Sequence, residues 1–409
     1  MTSEKTGVPT AAPDTGDELV ELVLGDIAPS GDTTAEFEDG TIEVFGGIPG
    51  ERVVARVHRY QKRRRQIVAA AVVTVINASP HRVAPPCPYY GPCSGCQWQH
   101  IDYGHQLALK ADSVRAALAP HPELDGTEVA ATIPGPEQLG YRNHARFTVR
   151  RQGRLGFTNR ITRRFVDVER CLLMHEGING ILGRLQGRVG ETTQLSVRYG
   201  IGSGEWLVQP AMKSESIPMP TGQTHYRERL FGRTFRIASP SFFQVNTRQA
   251  EALGGLLLRR LELKGSETVV DAYAGVGTFA ALVAAHAGRV IAIEESTAAV
   301  RDAAVNIGGL RNIEFVEAKT EDVLSSLECS PDAVILDPPR MGCHPDAIGA
   351  VIEIRADRVA YVSCEPMSMA RDLALLVSGG YRVTNVDPLD MFPQTHHVEC
   401  VATLRWGDR

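Results

Sequence analysis

VVDAYAGVGTFAALVAAHAGRVIAIE, residues 269–294, is the stretch whose reading decides the fold. Thr268-Val269-Val270 is a short apolar, β-branched run that ends on Asp271. Gly275 and Gly277 follow within a tight turn, and Phe279 to Ala287 is small, apolar and rich in helix formers. A second apolar run, Arg289 to Ile293, ends on Glu294. Strand, glycine turn, helix, strand and terminal acid make half of a doubly wound nucleotide-binding sheet. Glycine lets the backbone approach a ligand where a Cβ would block it. A carboxylate at the tip of the second strand can accept both hydroxyls of a ribose. The turn Gly275-Val276-Gly277-Thr278-Phe279-Ala280 also fits the looser dinucleotide pattern. By itself it leaves S-adenosylmethionine and a nicotinamide cofactor as alternatives, beside a glycine turn that binds nothing.

The chain around this stretch has 409 residues, enough for two to four domains with ample core. Composition is that of an ordinary soluble protein. No apolar run approaches the ~20 residues needed to span a bilayer. Residues 1–17 are polar and read as a disordered tail rather than a signal peptide, so the expected location is the cytoplasm. The net charge of −5 argues against wholesale coating of nucleic acid but permits local basic surfaces. No coiled-coil or long apolar stripe is evident, and the expectation is a monomer.

Upstream, residues 18–79 alternate short β-rich runs with turns. Val20–Leu24, Ala35–Phe37, Thr41–Val44, Arg52–Val57 and Ile67–Val75 read as five strands, broken at Gly31-Asp32, Asp39-Gly40, Gly46-Gly47 and Pro49-Gly50. That density predicts a small closed barrel of the oligonucleotide-binding kind. Its fourth strand and the following turn carry RVHRYQKRRR, residues 56–65, with seven basic side chains in ten and no acid. A solvated hairpin tip is the bland alternative. The tyrosine among the positive charges favours a phosphate-contacting edge that includes Arg59, Lys62, Arg63 and Arg64.

Eight cysteines in a reducing compartment argue against a disulfide framework. Cys87, Cys93 and Cys96 fall in a proline- and glycine-rich loop with C-x5-C-x2-C spacing, which asks for a metal. Cys171 is the other cysteine ahead of the catalytic half and so the candidate fourth ligand. Four thiolates suit structural zinc or an iron–sulfur cluster. Zinc sites usually show two short knuckles and this chain has one, which favours iron–sulfur. Cys329, Cys343 and Cys400 read as core or incidental thiols.

Residues 102–118 read as a helix, and Pro134-Gly135-Pro136 marks a linker. A second β-rich region runs from Gly140 to about Ile237. Eight arginines lie between Arg142 and Arg164, 23 residues without Asp or Glu, interleaved with Phe147 and Phe157. Arg142 and Arg146 therefore read as part of an RNA-contacting face, because unpaired bases stack on aromatic and guanidinium planes. Thr247–Leu261 reads as a helix behind the loop SPSFFQVN, residues 239–246. Further strands at 314–317, 333–336, 359–362, 382–386 and 398–404 complete the sheet. Two of them run straight into Asp337-Pro-Pro-Arg340 and Ser363-Cys364-Glu365-Pro366, and strand ends are where open parallel sheets bind ligands. Cys364 at such a tip reads as a nucleophile rather than a packed core thiol.

These pieces together resemble the bacterial RNA 5-methyluridine methyltransferases. The resemblance rests on SFFQVN, DAYAGVGT, LDPPR, VSCEP and DMFPQTHHVE, and it covers nearly the whole chain beyond the tail. It is closest to the branch with an N-terminal TRAM domain and an iron–sulfur cluster that modifies 23S ribosomal RNA. GIPGE at 47–51 is similar to the TRAM barrel, and GYR at 140–142 and FVDVERC at 165–171 to the central domain. The implied fold is α/β: a Rossmann-like class I methyltransferase domain at 239–409, a central region carrying the cysteine cluster at 80–238, and the barrel at 18–79. The implied activity is methylation of uridine carbon 5 with S-adenosylmethionine. It implies Cys364 as nucleophile and Glu399 as base, with Gln244, Tyr273, Gly275, Gly277, Thr278, Glu294 and Asp337 around the cofactor. It also implies a 4Fe–4S cluster on Cys87, Cys93, Cys96 and Cys171, and RNA contacts from the barrel, the central arginines, Phe242 and Arg340. Lys319 departs from the asparagine or acid common in the family, which puts adenine contacts there in doubt. Transfer RNA is the alternative substrate. A nicotinamide-dependent iron–sulfur reductase, or an RNA-binding module without catalysis, are the readings from other classes.

Overall fold

The computed structural model of the chain describes residues 18–62 and 65–407, and for 61, 62 and 65 the backbone alone. The 1–17 tail, Arg63 and Arg64, and the Lys62 side chain lie outside the described residues. The chain divides in sequence between Arg82 and Val83 into two compact units.

The first unit is a five-stranded sheet of β1 (Glu18–Val23), β2 (Thr33–Phe37), β3 (Gly40–Phe45), β4 (Arg52–Lys62) and β5 (Arg65–Asn77). Hydrogen bonding runs in the order β1-β4-β5-β3-β2, with β3 and β5 parallel. Just past β1, the Gly25 amide donates to Thr34 and the Thr34 amide to Asp26, so the sheet curls its two ends together. Val53, Ala55 and Val57 are buried while Arg52, Val54, Arg56 and His58 between them are less so, the two-residue period of a half-buried strand. Glu51 of the GIPGE turn is 1 % exposed; it accepts the Ile48 and Ser79 amides and pairs with Arg82.

The second unit begins with the cysteine loop and α1 (Tyr103–Leu118), capped by Asp102, whose side chain accepts the His105 amide. Then come β6 (His144–Arg150), β7 (Arg154–Thr158), β8 (Phe165–Asp167), α2 (Glu176–Leu185), β9 (Gln194–Tyr199) and β10 (Trp206–Gln209). The strands form an antiparallel sheet ordered β10-β9-β6-β7-β8. α2 is a helix that sequence reading leaves as part of a β-rich region. Its three glycines hide it, because each lowers helix propensity. Packing compensates: Ile178, Ile181, Leu182 and Leu185 are buried at helical spacing. A Cβ at Gly177 would fall 2.5 Å from the Tyr199 ring. A hairpin, β11 (His225–Leu230) and β12 (Arg233–Ala238), leads to the last element group.

That group is α3 (Thr247–Leu261), β13 (Thr268–Ala272), α4 (Thr278–Val283), β14 (Arg289–Glu294), α5 (Thr297–Asn306), β15 (Ile313–Glu317), α6 (Thr320–Val323), β16 (Ala333–Leu336), α7 (Pro345–Ile354), β17 (Arg358–Ser363), α8 (Pro366–Ser378), β18 (Tyr381–Leu389) and β19 (Glu399–Trp406). The sheet order is β15-β14-β13-β16-β17-β19-β18, parallel throughout except for β19. Helices cover both faces. α4 is shorter than the 279–287 expected from the apolar run, ending where the chain turns toward Gly288. All six residues of β17 are buried, as a strand covered on both faces requires.

α1 changes the expected partition of the chain. Its Val114, Ala117 and Leu118 sit in one core with Leu373 and Leu376 of α8 and Val386 of β18. The segment at 103–118 thus packs on the parallel sheet although it precedes the antiparallel one. The boundary placed at 238/239 separates two sheets within a single unit that starts at Val83.

Candidate active site

The order of strands reverses between β13 and β16, and the cleft outside such a switch point is where open α/β sheets bind ligands. The turn after β13 is built for close approach. Tyr273, Gly275 and Gly277 all have positive φ, at 66°, 56° and 82°. A Cβ on Gly275 would meet nothing within 4 Å, so open space lies above it. A tyrosine in the left-handed region is a strained residue, and such strain concentrates at functional sites. Thr278 starts α4 directly behind the turn.

Glu294 at the end of β14 accepts the Gly275 amide at 2.8 Å on one oxygen and the Ser296 amide at 2.7 Å on the other. Each oxygen keeps a lone pair for a ribose hydroxyl. Asp271, at the end of β13, is fully buried with no hydrogen-bond partner on either oxygen. Burial, with Asp337 and Glu294 nearby, pushes its carboxyl up to about 8. Burial likewise pushes Asp337, after β16, up to about 7. Three carboxyl groups therefore surround the glycine turn. That ring of acids lacks the donors that a dinucleotide pyrophosphate needs. It suits a cofactor with ribose hydroxyls, an ammonium and a sulfonium. The residues present thus fit S-adenosylmethionine.

The loop carrying Gln244 is anchored from several sides. Buried Asp302 pairs with Arg236 and accepts the Ala238 amide at 2.6 Å and the Ser241 hydroxyl at 2.7 Å. The Asn143 side chain donates to the Gln244 carbonyl at 3.0 Å, and Asn246 caps α3 through the Gln249 amide. Gln244 is buried, whereas its neighbour Phe242 is 69 % exposed, an open aromatic face. Lys319 is an exposed residue at the start of α6.

Cys364 follows β17 and Glu399 opens β19. The pairing of Ser363 with Cys400 brings the two opposite each other across neighbouring strands. Burial, together with Glu399, pushes the Cys364 thiol up to about 11, with Asp337 adding and Arg340 opposing. Glu399 is 4 % exposed, and burial holds its carboxyl well above the usual range, with Asp337 adding and Arg340 opposing. Thiol, guanidinium and two carboxyl groups thus converge at the tips of three strands. Sequence reading gave Arg340 to RNA alone; its charge also acts on Cys364, because β16 and β17 are neighbouring parallel strands that end on the same side of the sheet.

The four cysteines also converge. Cys87, Cys93, Cys96 and Cys171 line one cavity of about 240 Å³. Burial raises the Cys93, Cys96 and Cys171 thiols, Cys93 to about 11, and each feels at least one of the other three. Among the described residues, no three His, Cys, Asp or Glu side chains stand close enough together to grip a single metal ion. Arg142, His144 and Arg146 line the same cavity, so two arginines expected at RNA face the thiols as well. Arg59 of the barrel, read as unopposed by acid, pairs with Glu18 and, at 2.6 Å, with Glu38. Those carboxylates come from β1 and the β2–β3 turn, which local sequence could not reveal.

A seven-stranded sheet of this order with one reversed strand, closed over a glycine turn ringed by acids, defines a class I S-adenosylmethionine-dependent methyltransferase. The profile of the tRNA (uracil-5-)-methyltransferase family matches residues 227–406. An uncharacterized RNA methyltransferase of Gloeobacter violaceus is 34 % identical over 95 % of this chain and 96 % of its own. One of Streptomyces avermitilis is 32 % identical over 95 % and 98 %. The crystal structure of the Pyrococcus abyssi tRNA (uracil-54, C5)-methyltransferase with S-adenosyl-L-homocysteine superposes with a TM-score of 0.73 at 25 % identity, over 94 % of this chain and all of that one. The chain belongs to the RNA uracil-5-methyltransferase family, whose substrate is RNA and whose methyl donor is S-adenosylmethionine. The nicotinamide-dependent reductase and the non-catalytic module are thereby set aside. No helix among the described residues is long and apolar enough to cross a membrane.

Proposed function

We propose that this enzyme methylates carbon 5 of a uridine in 23S ribosomal RNA through a covalent Cys364 adduct, with Glu399 as the base. The facing of Cys364 and Glu399 at the ends of neighbouring strands carries this reading. Carbon 5 of uracil is a poor nucleophile. The Cys364 thiolate adds to carbon 6, opening the 5,6 double bond into an enolate. S-adenosylmethionine supplies an electrophilic methyl group, to which carbon 5 bonds as S-adenosylhomocysteine leaves. Glu399 then takes the carbon 5 proton, the double bond re-forms, and the sulfur departs as thiolate. The net products are the methylated base, S-adenosylhomocysteine and one proton. Arg340 beside the sulfur favours the thiolate at both ends of the cycle.

The base must leave its stack to reach Cys364, at a cost of a few kcal/mol that an unpaired loop lowers. Exposed Phe242 offers a ring on which a neighbouring base can stack. The barrel reads as a TRAM module whose strand edge tracks phosphates, with Arg59 on β4. Cys364→Ala is expected to abolish both methylation and the covalent complex with 5-fluorouridine RNA; full activity would rule the mechanism out. The similarity to an archaeal transfer-RNA enzyme favours tRNA as second substrate reading. Mass spectrometry of digested ribosomal and transfer RNA from a deletion strain separates the two.

In the same reading, Cys87, Cys93, Cys96 and Cys171 hold a 4Fe–4S cluster. The support is that all four cysteines line one cavity. Protein purified without oxygen is expected to be brown and to carry iron and sulfide. Stoichiometric zinc without iron would overturn this.

A further inference from the structure

Between β18 and β19 runs a nine-residue connection, Asp390 to Val398, and the pairing of Leu389 with Glu399 closes it. Glu399 follows this loop directly as the first residue of β19, so the loop helps to set its position beside the strand pairing. Three of the loop's first five carbonyls accept from side chains elsewhere in the chain, and a fourth from a backbone amide. Lys110 of α1 is fully buried, pairs with fully buried Asp390, and donates to the Phe392 carbonyl at 3.1 Å. Tyr141 donates to the Pro393 carbonyl at 3.1 Å, and Asn246 to that of Met391 at 3.2 Å. The Trp98 amide donates to the Gln394 carbonyl at 3.1 Å. Gln106 grips Gln394 twice: its Oε1 accepts the Gln394 amide and its Nε2 donates to the Gln394 side chain, each at 3.1 Å. Gln394 itself has φ 70°, a backbone that the surroundings must impose.

Four of the five gripping residues, Trp98, Gln106, Lys110 and Tyr141, precede residue 227, where the family profile begins to match. A buried ion pair is a poor device for stability alone, since well-packed apolar residues often serve as well. It can fix one geometry, and here the Lys110 ammonium is held by Asp390 and the Phe392 carbonyl together. Proton removal by Glu399 demands such fixing, because an ångström of misplacement costs on the order of a hundredfold in rate.

We propose that Lys110, Gln106 and Tyr141 are positioning residues for the proton-removal step, acting on Glu399 through the 390–394 strap. The inference rests on Glu399 being the base. Cys364 is placed by β17 instead, so the strap bears on adduct formation only through the charge of Glu399 beside the thiol. In full-length enzyme the three steps separate in single-turnover experiments with methyl-labelled cofactor and substrate RNA, read on denaturing gels. Tyr141→Phe with Gln106→Met removes the hydrogen bonds and little volume. Lys110→Met with Asp390→Leu replaces the ion pair by hydrocarbon. Both are expected to form the labelled protein–RNA adduct within about threefold of the wild-type rate and to resolve it on the order of tenfold to a hundredfold more slowly. Glu399→Gln is the reference and accumulates the same adduct. If Glu399→Gln accumulates none, the assignment of the base fails and this inference with it. If it does accumulate, but the folded strap variants resolve adduct at the wild-type rate, or lose adduct formation in parallel, the strap is structural only and the proposal is overturned. Tyr141→Phe alone, which deletes one hydroxyl, keeps the test open should a double variant not fold.

Discussion

The protonation of Cys364 can be read out directly. Burial, Glu399 and Asp337 hold the thiol at about 11 in the free enzyme. An unperturbed cysteine titrates near ~8.5, so at pH 7.5 roughly a tenth of it is thiolate. At about 11 the fraction is ~3 × 10⁻⁴, roughly 300-fold less. Iodoacetamide labelling of Cys364, followed by mass spectrometry of its peptide, should therefore be slow at pH 7.5. It should rise about tenfold per pH unit through pH 10 without a plateau. Charge changes then have fixed signs. Glu399→Gln and Asp337→Asn remove negative neighbours and move the profile to lower pH. Arg340→Met removes the compensating cation and moves it higher. A plateau near pH 8 to 9 in folded protein, or a shift of the wrong sign in Arg340→Met, would refute the electrostatic account of the site.

Other consequences are open to simple measurement. Burial pushes Asp337 up to about 7, and a cationic cofactor favours its charged form. Affinity for S-adenosylmethionine should accordingly rise from pH 6 to 8, with proton release detectable by calorimetry in buffers of different ionisation enthalpy; affinity flat over that range would contradict this. Lys110→Met alone leaves Asp390 charged and buried, and should lower stability by about 3–5 kcal/mol in urea unfolding, while adding Asp390→Leu restores most of it. Gly275→Ala must adopt a left-handed backbone, so cofactor affinity should fall even though its Cβ has room; unchanged affinity would show that the turn geometry is not limiting.

Much of the catalytic half was legible from residue order. Local rules suffice for a strand that ends on an acid, a glycine turn and a helix that follows. α3 falls on residues 247–261 as the pattern predicts, and the strand tips at Asp337 and Cys364 lie where the apolar runs stop. The five barrel strands were legible for the same reason, since alternation and turn residues act over a few positions. α2 was not, because its glycines argue against a helix until Tyr199 is seen packed against them.

What the sequence by itself determined was the kind of element at each place and the chemistry that each strand tip could offer. Only the tertiary structure decided who meets whom. Arg59 found Glu18 and Glu38, Arg142 and Arg146 came to face four thiols, Arg340 brought its charge to bear on Cys364, and Lys110 reached Asp390 across 280 residues. The physical reason is range. Helix and strand preferences are set by neighbours a few residues away, whereas a buried charge is stable only beside a partner that the fold delivers from a distance.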